Sequence, residues 1–254
     1  MDSGLTFMNE PSKGEQFDVI VSFATYRKRL ERRMIRPFLE RIVNQEFTGK
    51  YHIVANLWKP DFEFVHPKMK QYMEEHGIEV VLSDVDRKTH NKYCYVFQKY
   101  KGIPIITFDD DQIYRKDAVQ LLCNTHLNHP RTLIGGFCVI PTNKKDKLGK
   151  LIKPRPKSGT EPSPGIQLWG SGGNFYPPEF TEKITINMIE EWIQNSAVNC
   201  KYDNDMYLFR MAKRFGFNGM VVECNHEKPT WRGYLVEKFL PTADDETAKT
   251  WNKA

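Results

Sequence analysis

Apolar residues alternate along this chain between short β-branched runs and longer stretches at helical spacing. Residues 18–24 predict a first strand, and behind it Leu30, Met34, Phe38, Leu39, Ile42 and Val43 recur on one helical face. Pro37 predicts a kink in that helix or a second start within it. Residues 51–57 read as the next strand, 67–76 as a helix stopped by Gly77, and 78–82 as a third strand. A helix is expected over 88–100 with Tyr93, Val96, Phe97 and Tyr100 inward, and 103–108 read as a strand. That β-α-β-α-β-α-β order implies an α/β fold: right-handed crossovers and a mainly parallel sheet with helices on both faces. Ligands of such sheets bind outside the carboxyl ends of the strands.

The second half changes character. A helix is expected over 116–129 and a strand over 133–140. Residues 141–165, rich in lysine, proline and glycine, read as a loop. That loop is either a solvated basic linker or a lid or membrane-facing patch, ordering over phosphate across 144–157. Residues 167–176 predict a strand interrupted by Gly170, Gly172 and Gly173, which fits a structural bulge as well as a close ligand approach. A helix over 206–215 follows Asp203, Asn204 and Asp205, and is stopped by Gly216. A strand over 219–223 then leads to His226. Residues 1–16 are polar and read as a flexible arm, and 17–254 as a single domain with no internal repeat.

Length and composition bound the answer. With 254 residues, 40% hydrophobic and 27% charged, the chain has enough apolar content for a large folded core. A formal charge of +5 suits a polyanionic ligand and is too small to argue for nucleic acid. The five cysteines form no CxxC pair and read as reduced thiols. No leader pattern or membrane-length apolar run is present in the sequence, so the expectation is a cytoplasmic protein, with any membrane contact peripheral.

The candidate chemistry begins at Asp109-Asp110-Asp111, directly behind the predicted strand 103–108. Three adjacent carboxylates cannot be buried unpaired; they need full solvation or a compensating cation. A bare acidic run also fits a solvated turn, but a strand end in an α/β chain favours Mg²⁺ or Mn²⁺ holding a diphosphate. At the second acidic site, Asp203 or Asn204 can cap the following helix, while a further carboxylate held there can act as a general base.

Three passages resemble the GT-A nucleotide-sugar-dependent glycosyltransferases, especially family 2 and its relatives. Residues 21–30, VSFATYRKRL, resemble the first strand and nucleotide-contacting turn; residues 108–114, FDDDQIY, resemble the DxD motif; residues 205–216, DMYLFRMAKRFG, resemble the ED-xx-L helix. Leu208 and Gly216 stand three and eleven residues after the acid, as in the family pattern, and the glycine-rich 169–176 resembles the strand lining the sugar pocket. Asn204 departs from the usual glutamate of the ED pair, and Arg27 from a frequent asparagine.

The resemblance implies a GT-A (Rossmann-like) fold with a nucleotide-binding half over 17–115 and an acceptor-binding half and tail over 116–254. It implies transfer of a sugar from a nucleoside diphosphate donor, expected to be a UDP-sugar, to a hydroxyl of a glycan or glycolipid, with inversion. Donor contacts are expected at Ala24, Thr25, Tyr26, Arg27, Asp84, Lys92, Asp109, Asp110, Gly172 and Gly173. Asp111, Asp109 and His226 are the expected ligands of Mn²⁺ or Mg²⁺, and Asp205 is the expected base, with Asp203 second. The alternatives are a metal-dependent nucleotidyltransferase, whose glycine-rich basic signature after the first strand is missing, or a non-catalytic binder of anionic ligands.

Overall fold

The computed structural model describes residues 5–12, 14–31, 35–142, 144, 155–197 and 203–224. Its strands are β1 (Leu5–Met8), β2 (Val19–Ala24), β3 (Tyr51–Trp58), β4 (Glu79–Ser83), β5 (Ile105–Asp109), β6 (Thr132–Gly135), β7 (Cys138–Val139), β8 (Gln167–Leu168), β9 (Asn174–Tyr176) and β10 (Asn218–Val221). Eight of them form one sheet in the order β1-β4-β3-β2-β5-β9-β6-β10, while β7 and β8 pair separately. The pairs among β2, β3, β4 and β5 are parallel, as is β6 with β10; β1 and β9 run antiparallel to their neighbours. The fold is therefore the α/β arrangement with a mainly parallel sheet that the sequence predicts.

The helices are α1 (Arg27–Glu31), α2 (Arg36–Val43), α3 (Pro67–Glu75), α4 (Asn91–Cys94), α5 (Val96–Lys99), α6 (Ala118–Asn128), α7 (Pro178–Thr181), α8 (Ile186–Asn195) and α9 (Asn204–Phe215). Strand alternation divides the core between the two faces of the sheet. Val19, Val21, Phe23, Ile106 and Phe108 pack with Phe38 and Leu39 of α2, Met69 of α3 and Leu122 of α6. Ile20, Val81 and Ile105 pack on the other face with Tyr93, Phe97, Ile189 of α8 and Tyr207 and Leu208 of α9.

Several elements differ from the sequence reading. Leu5–Met8, within the stretch expected to be a loose arm, is an edge strand pairing with β4 from Leu5↔Ser83 to Met8↔Val80. An open strand edge offers unpaired amides and carbonyls, which this short run satisfies. Of the two expectations for Pro37, the second holds: it stands at the start of α2. The helix expected over 88–100 is broken into a 3₁₀ turn (Lys88–His90), α4 and α5. The strand expected over 133–140 is split into β6 and β7. Helix α8 lies outside the expected elements; Thr185 caps it by accepting a hydrogen bond from Met188 N–H at 3.3 Å. Gly216, at φ +72°, ends α9 in the left-handed conformation that a side chain resists. No described helix is long and apolar enough to cross a membrane.

Candidate active site

Because β2 to β5 are parallel, their carboxyl ends share one edge of the sheet, and a cavity of about 520 Å³ opens there. Every one of the four strands contributes. Ala24 ends β2, and Thr25, Tyr26 and Arg27 follow it; Trp58 ends β3, and Asp61 follows; Asp86, Lys88 and Thr89 follow β4; Asp109 ends β5, and Asp110 and Asp111 follow it. Asn91, Lys92 and Arg29 complete the wall.

The turn after β2 is fixed from beneath. Asn56 donates its amide to Ser22 Oγ and to the Phe23 carbonyl, both at 2.9 Å, and Thr25 N–H donates to the Asn56 carbonyl at 3.2 Å. Ser22 Oγ in turn donates to the Lys92 carbonyl at 2.5 Å, tying α4 to the same strand. The Tyr26 ring stands 44% exposed over the cavity, a flat apolar face of the kind on which a base stacks.

The acidic turn is held by Tyr114, whose ring stacks on Phe108 with centroids 4.0 Å apart and whose hydroxyl accepts from Asp109 N–H at 2.9 Å. The cation that three carboxylates require is supplied by the chain itself. Lys92, only 4% exposed, places Nζ 2.8 Å from Asp109 Oδ1. Burial alone would push the Lys92 ammonium down, but the Asp109 and Asp205 carboxylates reverse this and hold it above its usual range. Arg29 forks across the other two, with Nη1 on Asp110 Oδ1 and Nη2 2.8 Å from Asp111 Oδ2. Even so, Asp110 Oδ2 and Thr25 Oγ1 are buried without a hydrogen-bond partner on residues that line the cavity. Such atoms carry an uncompensated desolvation cost of roughly 1–3 kcal/mol each, which a polar ligand would relieve.

Asp205 and Asp203 occupy different places. Asp203 is exposed and caps α9, its Oδ1 accepting from Met206 N–H at 2.9 Å. The half-buried Asp205 accepts at Oδ1 from Gly170 N–H at 3.1 Å and from the Asn204 amide at 2.9 Å. Burial, then the nearby Asp109 charge, pushes its carboxyl up to about 7, against the pull of Lys92 and the Gly170 N–H. Gly170 is the hinge of this cluster: a Cβ there would stand 2.5 Å from Lys92 Nζ and 3.0 Å from Asp109 Oδ1. A side chain at 170 would therefore have to displace the Lys92–Asp109 contact.

The structure thus brings Ala24, Thr25, Tyr26, Arg27, Lys92, Asp109, Asp110 and Asp111 onto one cavity wall. Asp205 lies beside Gly170 and borders a separate small cleft with Tyr176 and Leu208. Asp84 stands outside the cavity, exposed and 3.1 Å from Lys59 Nζ. Gly172 and Gly173 also lie off its wall: Gly172 sits against Phe137, and Gly173, at φ +77°, lies under Phe108, where a Cβ would come 2.6 Å from the ring. Gly173 thereby supports the acidic turn from below, against Phe108 and Tyr114. His226 and most of the basic segment 144–157 lie outside the described residues. The sequence reading misses Arg29, Trp58, Asp61, Asp86, Lys88, Thr89 and Asn91, and does not single out Gly170 among its three glycines. Most of these follow a predicted strand end by a few residues, so the signal for them is the topology rather than a motif.

No protein-family profile matches this chain, and no curated protein matches it. Among solved structures, the chain is similar to S. aureus TarS 1–349 in complex with UDP (TM-score 0.47, 11% identity), over 82% of this chain and 59% of that one. A second S. aureus TarS structure gives a TM-score of 0.48 at 11% identity, over 82% of this chain and 36% of that one. The chain is also similar to 4-diphosphocytidyl-2C-methyl-D-erythritol synthase (TM-score 0.47, 10% identity), over 87% of this chain and 95% of that one. The chain therefore spans less than two thirds of either TarS chain. No activity passes to it from a likeness at this level.

Proposed function

We propose that this protein is a divalent-metal-dependent glycosyltransferase that takes a sugar from a nucleoside diphosphate donor, UDP first among the candidates, and passes it to a hydroxyl of a glycan or glycolipid. The observation that carries the reading is the junction at Gly170, where the acidic wall of the cavity (Asp109, paired with Lys92) meets a carboxylate held at about 7 on a helix start. The donor's diphosphate would lie along Asp109 to Asp111 and its base against Tyr26, with Thr25 Oγ1 and Asp110 Oδ2 finding polar partners.

The residues fit a hard cation. Their donors are carboxylate oxygens, and Asp110 Oδ2 has no partner on the protein. Among the described residues no three acidic, histidine or cysteine side chains close on one point. Mg²⁺ and Mn²⁺ are commonly held by one or two carboxylates together with substrate phosphates, so Asp111 and Asp109 would hold the ion with the diphosphate. Bound there, it would supply Lewis-acid stabilisation of the charge that develops on the departing diphosphate. Lys92 positions Asp109 and adds positive charge behind it. Asp205, titrating near the operating pH, accepts the proton of the attacking acceptor hydroxyl, and attack on the face opposite the leaving group inverts the anomeric centre.

Incubation with a panel of nucleotide-sugars, with Mn²⁺ or with EDTA, tests this. The expected result is metal-dependent release of free nucleoside diphosphate from one donor. Pyrophosphate release from a nucleoside triphosphate and a sugar phosphate, with no diphosphate release, would replace it with the nucleotidyltransferase reading.

A further inference from the structure

Arg29 is the one residue bridging Asp110 and Asp111 among the described contacts, and it is placed to do more than neutralise them. It sits on the first turn of α1, where Arg29 N–H donates to the Tyr26 carbonyl at 3.1 Å, so its backbone belongs to the turn that lines the cavity. Its guanidinium lies across two carboxylates, one almost fully buried and one about a quarter exposed, and 5.2 Å from the centre of the exposed Tyr26 ring. The fork uses Asp110 Oδ1 and Asp111 Oδ2 and leaves the buried Asp110 Oδ2 without a partner. A guanidinium is always charged, and a divalent cation on Asp111 would stand against it at close range. The two cannot share these carboxylates without strong repulsion. A diphosphate, however, offers a guanidinium the same bidentate geometry that a pair of carboxylates does.

We propose that Arg29 is an exchangeable counter-ion: it competes with the divalent cation for Asp111, the carboxylate that the fork and the ion would share, and it transfers to the diphosphate when cation and nucleotide enter together. The inference rests on the reading of the cavity as a metal-diphosphate site. Its consequence is ordered loading. The cation alone binds weakly because it must displace the fork with nothing to receive it. The nucleotide brings the replacement partner, so cation and nucleotide bind with positive coupling. Arg29 then remains as a positive group on the phosphates, which a lysine, a point charge without the planar fork, would only partly reproduce.

The test is Mn²⁺ binding, followed by the electron paramagnetic resonance signal of the free ion, for wild type, Arg29→Gln and Arg29→Lys, each with and without UDP. Wild type is expected to bind Mn²⁺ at least tenfold more tightly with UDP than without. Arg29→Gln should bind Mn²⁺ alone at least tenfold more tightly than wild type and lose most of the gain from UDP; Arg29→Lys should fall between. Mn²⁺ alone should also raise the melting temperature of Arg29→Gln and leave that of wild type nearly unchanged, while the loss of coupling to UDP is the change that a purely structural ion pair would not give. Unchanged or weaker binding of Mn²⁺ alone in both variants, beside normal coupling in wild type, would overturn the exchange while leaving the metal-diphosphate site intact. Absence of Mn²⁺ binding to wild type with UDP would overturn the site and the exchange together. Should Arg29→Gln fail to fold, the binding of Mn²⁺ alone by Arg29→Lys decides between the same outcomes.

Discussion

Two clusters of buried charge stand at opposite edges of the same sheet, one at the amino end of β4 and one at the carboxyl end of β5. Glu79 is fully buried, and both of its oxygens are used: Oε1 accepts from Tyr95 at 3.1 Å and Lys99 at 3.0 Å, Oε2 from His52 at 3.0 Å and from Tyr100. Burial pushes its carboxyl up, but hydrogen bonds from His52, Tyr100 and Lys99 bring it below its ordinary value. The Asp109–Asp111 turn has its cations too, in Lys92 and Arg29, yet it faces an open cavity and keeps a buried oxygen unpartnered. Buried charge alone does not mark a site. What separates the two clusters is leftover bonding capacity beside space for a ligand.

The largest loss of stability is expected at Glu79. Replacing it by alanine takes away the acceptor of two tyrosine hydroxyls and a histidine and leaves Lys99 with Glu10 alone, and should cost about 3–5 kcal/mol of stability. Chemical denaturation should show this loss, while the UDP affinity of the folded fraction stays as in wild type. A fall in affinity equal to that of a cavity variant would join the two clusters into one functional unit.

At the other edge the expected effects are on turnover. Asp205→Asn keeps shape and hydrogen bonding but removes the proton acceptor, so transfer should fall by roughly 10²-fold or more with donor affinity retained. In wild type, kcat/KM should rise through a limb near pH 7, where the raised carboxyl loses its proton, and the variant should lack that limb. Stability carries the opposite sign. A carboxyl raised from 3.8 to about 7 favours the folded state while protonated, and this contribution is lost as pH rises through that interval. The stability gap between Asp205→Asn and wild type should therefore widen in favour of the variant from about pH 4 to about pH 7 and stay constant above it. A gap independent of pH would place the titration elsewhere.

Smaller effects sharpen the boundary of the site. Gly170→Ala pushes a methyl into the Lys92–Asp109 contact and should cost about 1–3 kcal/mol by overpacking, with a turnover loss larger than the destabilisation explains. Asp203→Ala removes only a helix cap and should cost about 1 kcal/mol in a thermal melt, with transfer close to normal. Loss of transfer in Asp203→Ala with Asp205→Asn near wild type would exchange their roles.

Much of this arrangement is legible in the sequence, for reasons that differ by region. The strands of the first half are apolar on both faces, so they stand out as continuous β-branched runs, and their parallel order fixes which edge holds the ligand. The acidic turn is visible as a motif, and so is the acid at the start of α9. Arg29 is not, because its role depends on a turn of helix bringing residue 29 against residues 110 and 111, and three neighbouring basic residues look alike in sequence. The place of Asp84 behind a strand suggests a ligand contact, but the chain reaches the cavity only two residues later, at Asp86. Gly170 cannot be told from Gly172 and Gly173, since three glycines in one interrupted strand have the same local signature and differ in backbone conformation and in what packs against them.

Calorimetric titration of UDP with Mn²⁺ and with EDTA, in wild type and Asp111→Asn, asks whether the cavity takes a nucleoside diphosphate through a cation held on the acidic turn. Wild type should bind UDP in Mn²⁺ and at least tenfold more weakly in EDTA, and the variant's affinity should be low in both conditions. Equal affinity across all four titrations, or no binding in any of them, would contradict this mode of binding.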